Sequence, residues 1–176
     1  MSKGVAVTGM GIISSIGNSV DENYQALIAK KHSITKIKNI YTIHQNDIKV
    51  GEVNYTNDEL IFILDLPNSN NYSRTAMLAE IAVKEAIKNA NITDINSYRT
   101  GLISATSVGG MDMTEKHYHS QFKETHNRKY IESHNAGDST KKIARHLGVN
   151  NFVTTISTAC SSSANAIMFG ARLIKA

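Results

Sequence analysis

The chain has 176 residues, 41% hydrophobic and 19% charged, which suits an ordinary globular protein and excludes disordered, collagen-like and fibrous classes. Its net charge of +4 comes without a run of like charges interleaved with aromatics, so nucleic acid is not an expected partner. No stretch nears the roughly 18–20 apolar residues of a membrane span. The single cysteine forbids an internal disulfide. The N-terminal stretch is broken by Gly9 and Gly11 and lacks the continuous apolar region of a signal peptide, so the cytoplasm is the expected compartment.

Val5-Ala6-Val7-Thr8 reads as a short buried strand feeding a loop at Gly9 and Gly11. Ser19 and Glu22 have capping-box spacing, and Val20, Tyr24, Leu27 and Ile28 share one face of a helix running to about Lys30. Ile48 to Tyr55 alternates as a strand would, whereas Asn57 to Leu66 fits helix and strand equally. Ser73 to Ala90 is the clearest helix. Ala79, Ala82, Val83, Ala86, Ile87 and Ala90 form its apolar face, and Glu80 and Lys84 lie opposite as an i,i+4 pair.

Gly101 to Thr106 reads as a second buried strand, followed by Gly109-Gly110. Residues 112–123 are expected to be helical, and Asp138 to cap a helix that Gly148 closes. Phe152 to Ser157 is a β-branched strand. The helix from Ser161 to Lys175 is expected to be buried, with Ala164, Ile167, Met168, Ala171 and Ile174 on one face. Strands alternating with helices imply an α/β domain with a mixed, mostly parallel sheet of about five strands. No stop signal follows the last helix at Lys175-Ala176, which suggests a longer parent protein.

The sharpest chemical feature is Thr158-Ala159-Cys160-Ser161-Ser162-Ser163, between a strand and a helix. A cysteine at a helix N-terminus faces unpaired N–H groups and the positive end of the dipole. Both favour thiolate and can hold a developing oxyanion. An inert, buried cysteine is the competing reading on residue type alone.

Thr158 to Ser163 resembles the nucleophile motif of the β-ketoacyl synthases of the thiolase-like superfamily. Val5 to Gly11 resembles that family's opening strand and loop, Arg74-Thr75-Ala76-Met77 its central helix, and Thr106-Ser107-Val108-Gly109-Gly110 its pocket segment. The four occur in the family's order. The resemblance implies that residues 1–176 are the N-terminal half of a duplicated thiolase-like fold, with the C-terminal half absent. It implies Cys160 as the acylated nucleophile, whose own N–H is one oxyanion donor, and Val108, Gly109 and Gly110 as substrate-binding residues, Val108 lining the acyl pocket. The reaction would be a decarboxylative condensation with a malonyl thioester in fatty-acid, polyketide or polyene synthesis. No cofactor or metal is implied. The implied partners are an acyl carrier protein and a second copy in a homodimer.

Departures from the pattern are Ser163 for glycine, a pocket segment made less glycine-rich by Ser104 and Ser107, and a carrier-docking basic cluster reduced to Arg74. The family's two catalytic histidines and a lysine belong to the second half. His117, His119, His126, His134 and His146 match none of these. His117 and His119 lack a third metal ligand at recognisable spacing. Alternative readings are a non-catalytic ketosynthase-like half or subunit, and a nucleotide-binding α/β domain. Against the latter, Ser14 stands where a dinucleotide fingerprint wants its third glycine.

Overall fold

A computed structural model describes residues 4–176. In chain order its elements are α1 (Val20–Ile28), β1 (Ile34–Lys36), β2 (Lys49–Gly51), α2 (Asn57–Leu64), α3 (Arg74–Asn89), β3 (Gly101–Ala105), α4 (Met111–His117), α5 (Arg128–Ile131), α6 (Ala136–Leu147), β4 (Phe152–Ile156) and α7 (Ser162–Lys175), with short 3₁₀ turns between some of them. They fall into two compact units. One comprises the residues up to Val7, Ser69–Met77 and Thr93–Ala176, and the other Thr8–Asn68 and Leu78–Ile92.

In the unit that starts at Thr8, the loop at Gly9 and Gly11 lies against α3. A Cβ on Gly9 would stand 2.7 Å from the Ala90 nitrogen, and one on Gly11 2.8 Å from the Ala86 nitrogen, so only glycine permits this approach. Met10 donates its N–H to Asn89 Oδ1 at 3.0 Å, and Ile12 donates to Glu85 Oε2 at 2.8 Å. The partner of this backbone is therefore the polar flank of a helix. Val5 to Thr8, expected as a strand, has no ladder partner among the described residues.

Ser19 caps α1 by accepting the Glu22 N–H. Glu22 reaches back to the Asn18 N–H at 2.7 Å, one residue before the position a capping box would use. The apolar stripe of α1 is not its buried side. Tyr24, Leu27 and Ile28 are exposed, while Asn23 and Ala26 are buried. Asn23 justifies its place by donating to the carbonyls of Gly17 and Ser19. β1 and β2 pair antiparallel, with Thr35 opposite Val50.

The ambiguous segment after Asn57 is the helix α2. Thr56 and Glu59 form a full capping box, which resolves the helix against the strand. Leu60 and Leu64, one turn apart, are its buried residues. On α3, Glu80 pairs with Lys84 at 3.2 Å as expected, but the Glu80 side chain is fully buried. The polar flank of that helix is thus partly an inward one.

In the other unit β3 and β4 run parallel, from Gly101 opposite Phe152 to Ala105 opposite Ile156. The α/β class with a helix-covered parallel sheet stands. The described residues form two two-stranded sheets, one antiparallel and one parallel, rather than a sheet of about five strands. Strand alternation places the helices around β4. Phe152 meets Phe169 of α7, ring centroids 6.0 Å apart, and the Thr155 hydroxyl lies 2.6 Å from that of Thr140 on α6. Positions 152 and 155 point to opposite faces, so α7 and α6 cover opposite faces of the pair. Gly170 of α7 agrees, since a Cβ there would lie 3.5 Å from Ile103 Cδ1, on the same face as Phe152.

Asn135, not Asp138, caps α6, accepting the Gly137 N–H at 2.8 Å. Gly148 closes α6 at φ +73°, as its type predicts. Asp138 instead pairs with buried Lys142 at 2.6 Å. Lys142 also donates to the Asn71 carbonyl and sits 5.7 Å from the Tyr72 ring centre.

The expectation of a buried α7 is overturned on its apolar face. Ile167 is 74% exposed and Ile174 73%, with Ser162 and Ala166 the buried positions. The stripe is apolar, but nothing within the described residues covers it.

Candidate active site around Cys160

β4 ends at Ile156, a 3₁₀ turn spans Ala159–Ser161, and α7 starts at Ser162. Cys160 thus stands in the turn that feeds the helix, two residues ahead of the first α-helical position, and it is exposed. Among the described residues Cys160 is not packed into a core, as a thiol acting as a small hydrophobe would be. Ala159 adopts φ +50°. A residue with a Cβ costs about 1–2 kcal/mol in this left-handed region, and such strain persists only where the surroundings over-determine the backbone.

Here the surroundings are a polar cage. Thr158 donates its N–H to Ser162 Oγ at 2.8 Å, and Ser162 Oγ donates to the Ala159 carbonyl at 2.7 Å. Ser161 Oγ donates to the Thr158 carbonyl at 2.8 Å and lies 3.0 Å from Thr158 Oγ1. Asn165, a turn further along α7, donates to Thr158 Oγ1 at 2.9 Å and to Ser161 Oγ at 3.3 Å. The serines that read from sequence as merely small residues are hydrogen-bonding parts of the turn. Asn165 was missed altogether. Its one available signal was an amide at i+4 from Ser161 in an otherwise small, apolar helix.

The segment after β3 leaves the sheet at the same end. Thr106 donates its N–H to the Ile156 carbonyl at 3.3 Å, which extends the parallel ladder by one residue. Its hydroxyl accepts the N–H groups of Val108 and Gly109, each at 3.3 Å. Gly109 has φ +64°, and a Cβ there would stand 2.6 Å from the His134 carbonyl oxygen. Gly110 donates to the Ser133 carbonyl at 2.7 Å, and a Cβ on it would approach that oxygen to 2.6 Å. Both glycines are therefore demanded by close backbone contact with residues 133–134. Val108 is 57% exposed. The parallel register carries Thr106–Gly110 and Ser157–Cys160 to the carboxyl ends of adjacent strands, where ligands of α/β sheets bind.

A groove of about 370 Å³ lies between α6 and β4, lined by Asn135, Gly137, Thr140, Lys141, Val153 and Thr155 among others. Neither Cys160 nor Val108 is among its lining residues.

The histidines have local partners. His117 stacks on Tyr130 with centroids 4.2 Å apart, and His134 Nδ1 lies 3.1 Å from Thr114 Oγ1. Burial first, and the Lys116 charge second, hold the His117 imidazole below the usual histidine range. Among the described residues no group of three or more His, Cys, Asp or Glu could hold a metal ion. Nor is any described helix long and apolar enough to cross a membrane.

Residues 2–176 match the family model of the "Beta-ketoacyl synthase, N-terminal domain". The chain belongs to the β-ketoacyl synthase family. Among curated relatives, the 3-oxoacyl-[acyl-carrier-protein] synthase 2 of Vibrio harveyi is 26% identical over 175 residues, which is 97% of this chain and 42% of that protein. The protein of the same name from Staphylococcus aureus (strain N315) is 31% identical over 116 residues, or 65% of this chain and 28% of the relative. This β-ketoacyl synthase domain thus spans less than half the length of the relatives it matches.

Solved structures share its fold. The ishigamide ketosynthase/chain length factor superposes with a TM-score of 0.81 at 23% identity, covering 99% of this chain and 45% of that one. A β-ketoacyl synthase from Burkholderia phymatum STM815 gives 0.73 at 18% identity, covering 98% and 43%. The nucleotide-binding alternative falls with this assignment. Gly9 and Gly11 of the β-ketoacyl synthase domain serve close packing on α3, with their neighbouring N–H groups already committed to Asn89 and Glu85.

Proposed function

We propose that the protein carrying this domain is a condensing enzyme with Cys160 as its nucleophile. The observation that carries this reading is an exposed thiol in a strained turn, at the carboxyl end of a parallel strand and the start of a fourteen-residue helix. The Cys160 sulfur attacks the carbonyl carbon of an acyl thioester. The old carbon–sulfur bond breaks, and the departing sulfur takes up the proton that the Cys160 thiol gave up, leaving as a free thiol. A malonyl thioester then loses carbon dioxide, and the electron pair left on its α-carbon attacks the Cys160-bound carbonyl. The bond to Cys160 breaks, giving a product two carbons longer and a free thiol.

The acyl carrier protein in the relatives' names supports a carrier-borne thioester as substrate. The histidines that steady the carbanion are assigned to sequence beyond this chain. A cytoplasmic homodimer completes the reading, and the exposed face of α7 supports an additional covering surface. Val108 is proposed to line the acyl pocket, with Gly109 and Gly110 shaping the segment behind it. The neighbour titled ketosynthase/chain length factor keeps a second reading in play, a non-catalytic subunit. Such a subunit has no use for an exposed thiol held in a strained turn, which favours the enzyme.

The test is to incubate the full protein with an acyl thioester and then a malonyl thioester, following protein mass and released carbon dioxide. Wild type gains the acyl mass, releases carbon dioxide and returns to its starting mass. Cys160→Ala does none of these with an unchanged melting temperature. Residues 1–176 alone acylate weakly without releasing carbon dioxide. Condensation surviving in Cys160→Ala would refute the assignment.

A further inference from the structure

Asn165 is the one side chain of α7 that reaches back to both ends of the Cys160 turn. Its amide donates to Thr158 Oγ1 before the turn and to Ser161 Oγ after it. Between these two anchors lie only Ala159, at φ +50°, and Cys160. The orientation of the amide is set by its surroundings. Ser161 Oγ spends its hydrogen on the Thr158 carbonyl or on Thr158 Oγ1, so it can only accept from Asn165. The nitrogen of the amide must therefore face the turn. The remaining bonds of the cage, from Ser162 Oγ to the Ala159 carbonyl and from the Thr158 N–H to Ser162 Oγ, grip the backbone on the helix side. Asn165 adds a grip from a turn further along α7, bonding both hydroxyls of the Ser161–Thr158 pair that already meet at 3.0 Å.

We infer that Asn165 is a positioning residue, a clamp that holds the left-handed Ala159 and so fixes the Cys160 sulfur and backbone N–H where acyl transfer needs them. The inference rests on the proposed role of Cys160. Without the clamp, the side chains that flank the turn keep only the direct Ser161–Thr158 hydroxyl bond at 3.0 Å, and Ala159 is freer to leave the left-handed region. The thiol remains present and exposed but its direction is no longer single. Proximity and orientation contribute to kcat far more than to substrate binding when the displaced group acts only in the transition state. The signature of losing Asn165 is thus a fall in kcat at nearly constant KM.

The clamp needs a donor two bonds from Cβ. An imidazole Nδ1–H occupies the same place as the amide nitrogen but carries one hydrogen, so Asn165→His should keep one of the two bonds. Asn165→Ala removes both. Thr158→Val removes the acceptor from the other side while preserving the β-branched shape. The two losses describe one interaction, so they should not add.

The experiment measures acyl transfer in the full protein for wild type, Asn165→Ala, Asn165→His, Thr158→Val and the Ala/Val double variant, together with the rate of Cys160 alkylation by iodoacetamide. Asn165→Ala and Thr158→Val should each lower kcat by about ten- to a hundredfold, with KM within about twofold. The double variant should be no slower than the slower single, and Asn165→His should fall between wild type and Asn165→Ala. Alkylation, which asks for an exposed thiolate but for no fixed direction of the sulfur, should stay within about threefold in all of them. Wild-type kcat in Asn165→Ala, or additive losses in the double variant, would overturn the clamp. Should Asn165→Ala fail to fold, Thr158→Val still decides it, since wild-type kcat in that variant refutes the clamp. If Cys160→Ala also condenses, the assignment of Cys160 as nucleophile fails, whereas an inactive Cys160→Ala beside wild-type kcat in Asn165→Ala overturns the clamp alone.

Discussion

A single backbone angle organises the Cys160 turn. Ala159 holds φ +50° although it has a Cβ, where glycine would sit without strain. Replacing it tests whether the conformation is imposed by the cage. Ala159→Gly removes the steric cost and adds unfolded-state entropy, so the net change in unfolding free energy should be small, within about 1 kcal/mol. Ala159→Val puts a β-branched side chain in the left-handed region and should lose at least about 1–2 kcal/mol. Denaturant melts of the full protein read both, and a valine variant as stable as wild type would show that the turn is not held at this angle. The place of Cys160 between a β-branched strand and a helix was legible in the sequence. The angle at Ala159 and the grip of Asn165 were not, because neither residue type signals them.

At the scale of elements, α6 carries the most consequential polar contact of its unit. Lys142 is buried, with Asp138 at 2.6 Å one turn earlier and the Asn71 carbonyl as a second acceptor. Removing one member of such a pair leaves an uncompensated buried charge, whereas replacing both with apolar groups can be nearly neutral. Asp138→Ala should therefore lose about 3 kcal/mol, and Asp138→Leu with Lys142→Met much less. Urea unfolding measures the difference. A single variant within about 0.5 kcal/mol of wild type would mean that the pair does not bear on stability.

His117 on α4 gives that element a pH dependence. Its imidazole is held below the usual range by burial against Tyr130 and by the Lys116 charge. The unfolded chain then binds more protons than the folded one, so stability rises with pH through the window up to about 6.5 and levels off above it. His117→Phe, which keeps a ring to stack, should flatten that rise in melting temperature between about pH 5 and 7.5. An unchanged slope in the variant would assign the dependence to another group.

For the molecule as a whole, the exposed stripe of α7 is the governing surface. Ile167, Met168, Leu173 and Ile174 are 74%, 46%, 43% and 73% exposed, and patches of this kind mark contact surfaces. In a protein more than twice as long as this domain, as the relatives are, such a face is an obvious place for further chain or a second subunit. Residues 1–176 in isolation should therefore self-associate. Light scattering should report a mass above 19.3 kDa that falls toward the monomer in the Ile167→Lys, Ile174→Lys double variant. A clean monomer for the unmodified chain at high concentration would remove the argument.

The sequence by itself determined the elements whose signals are local. Helical spacing and end residues placed α3 to within a residue and the close of α6 at Gly148, a short run before Gly109-Gly110 placed β3, and a β-branched run placed β4. Local signals also put a lone cysteine between strand and helix, and four segments in order pointed to the family. Only the tertiary structure decided what each face meets. The apolar stripes of α1 and α7 turned outward and Glu80 inward. Val5 to Thr8 found no strand to pair with among the described residues, and Asn135 displaced Asp138 as the cap of α6. The physical reason is common to all of these. Periodicity says which residues share a face, but burial, ladder pairing, capping and ion pairing each need a second partner, and spacing alone does not say which candidate, near or distant in sequence, supplies it.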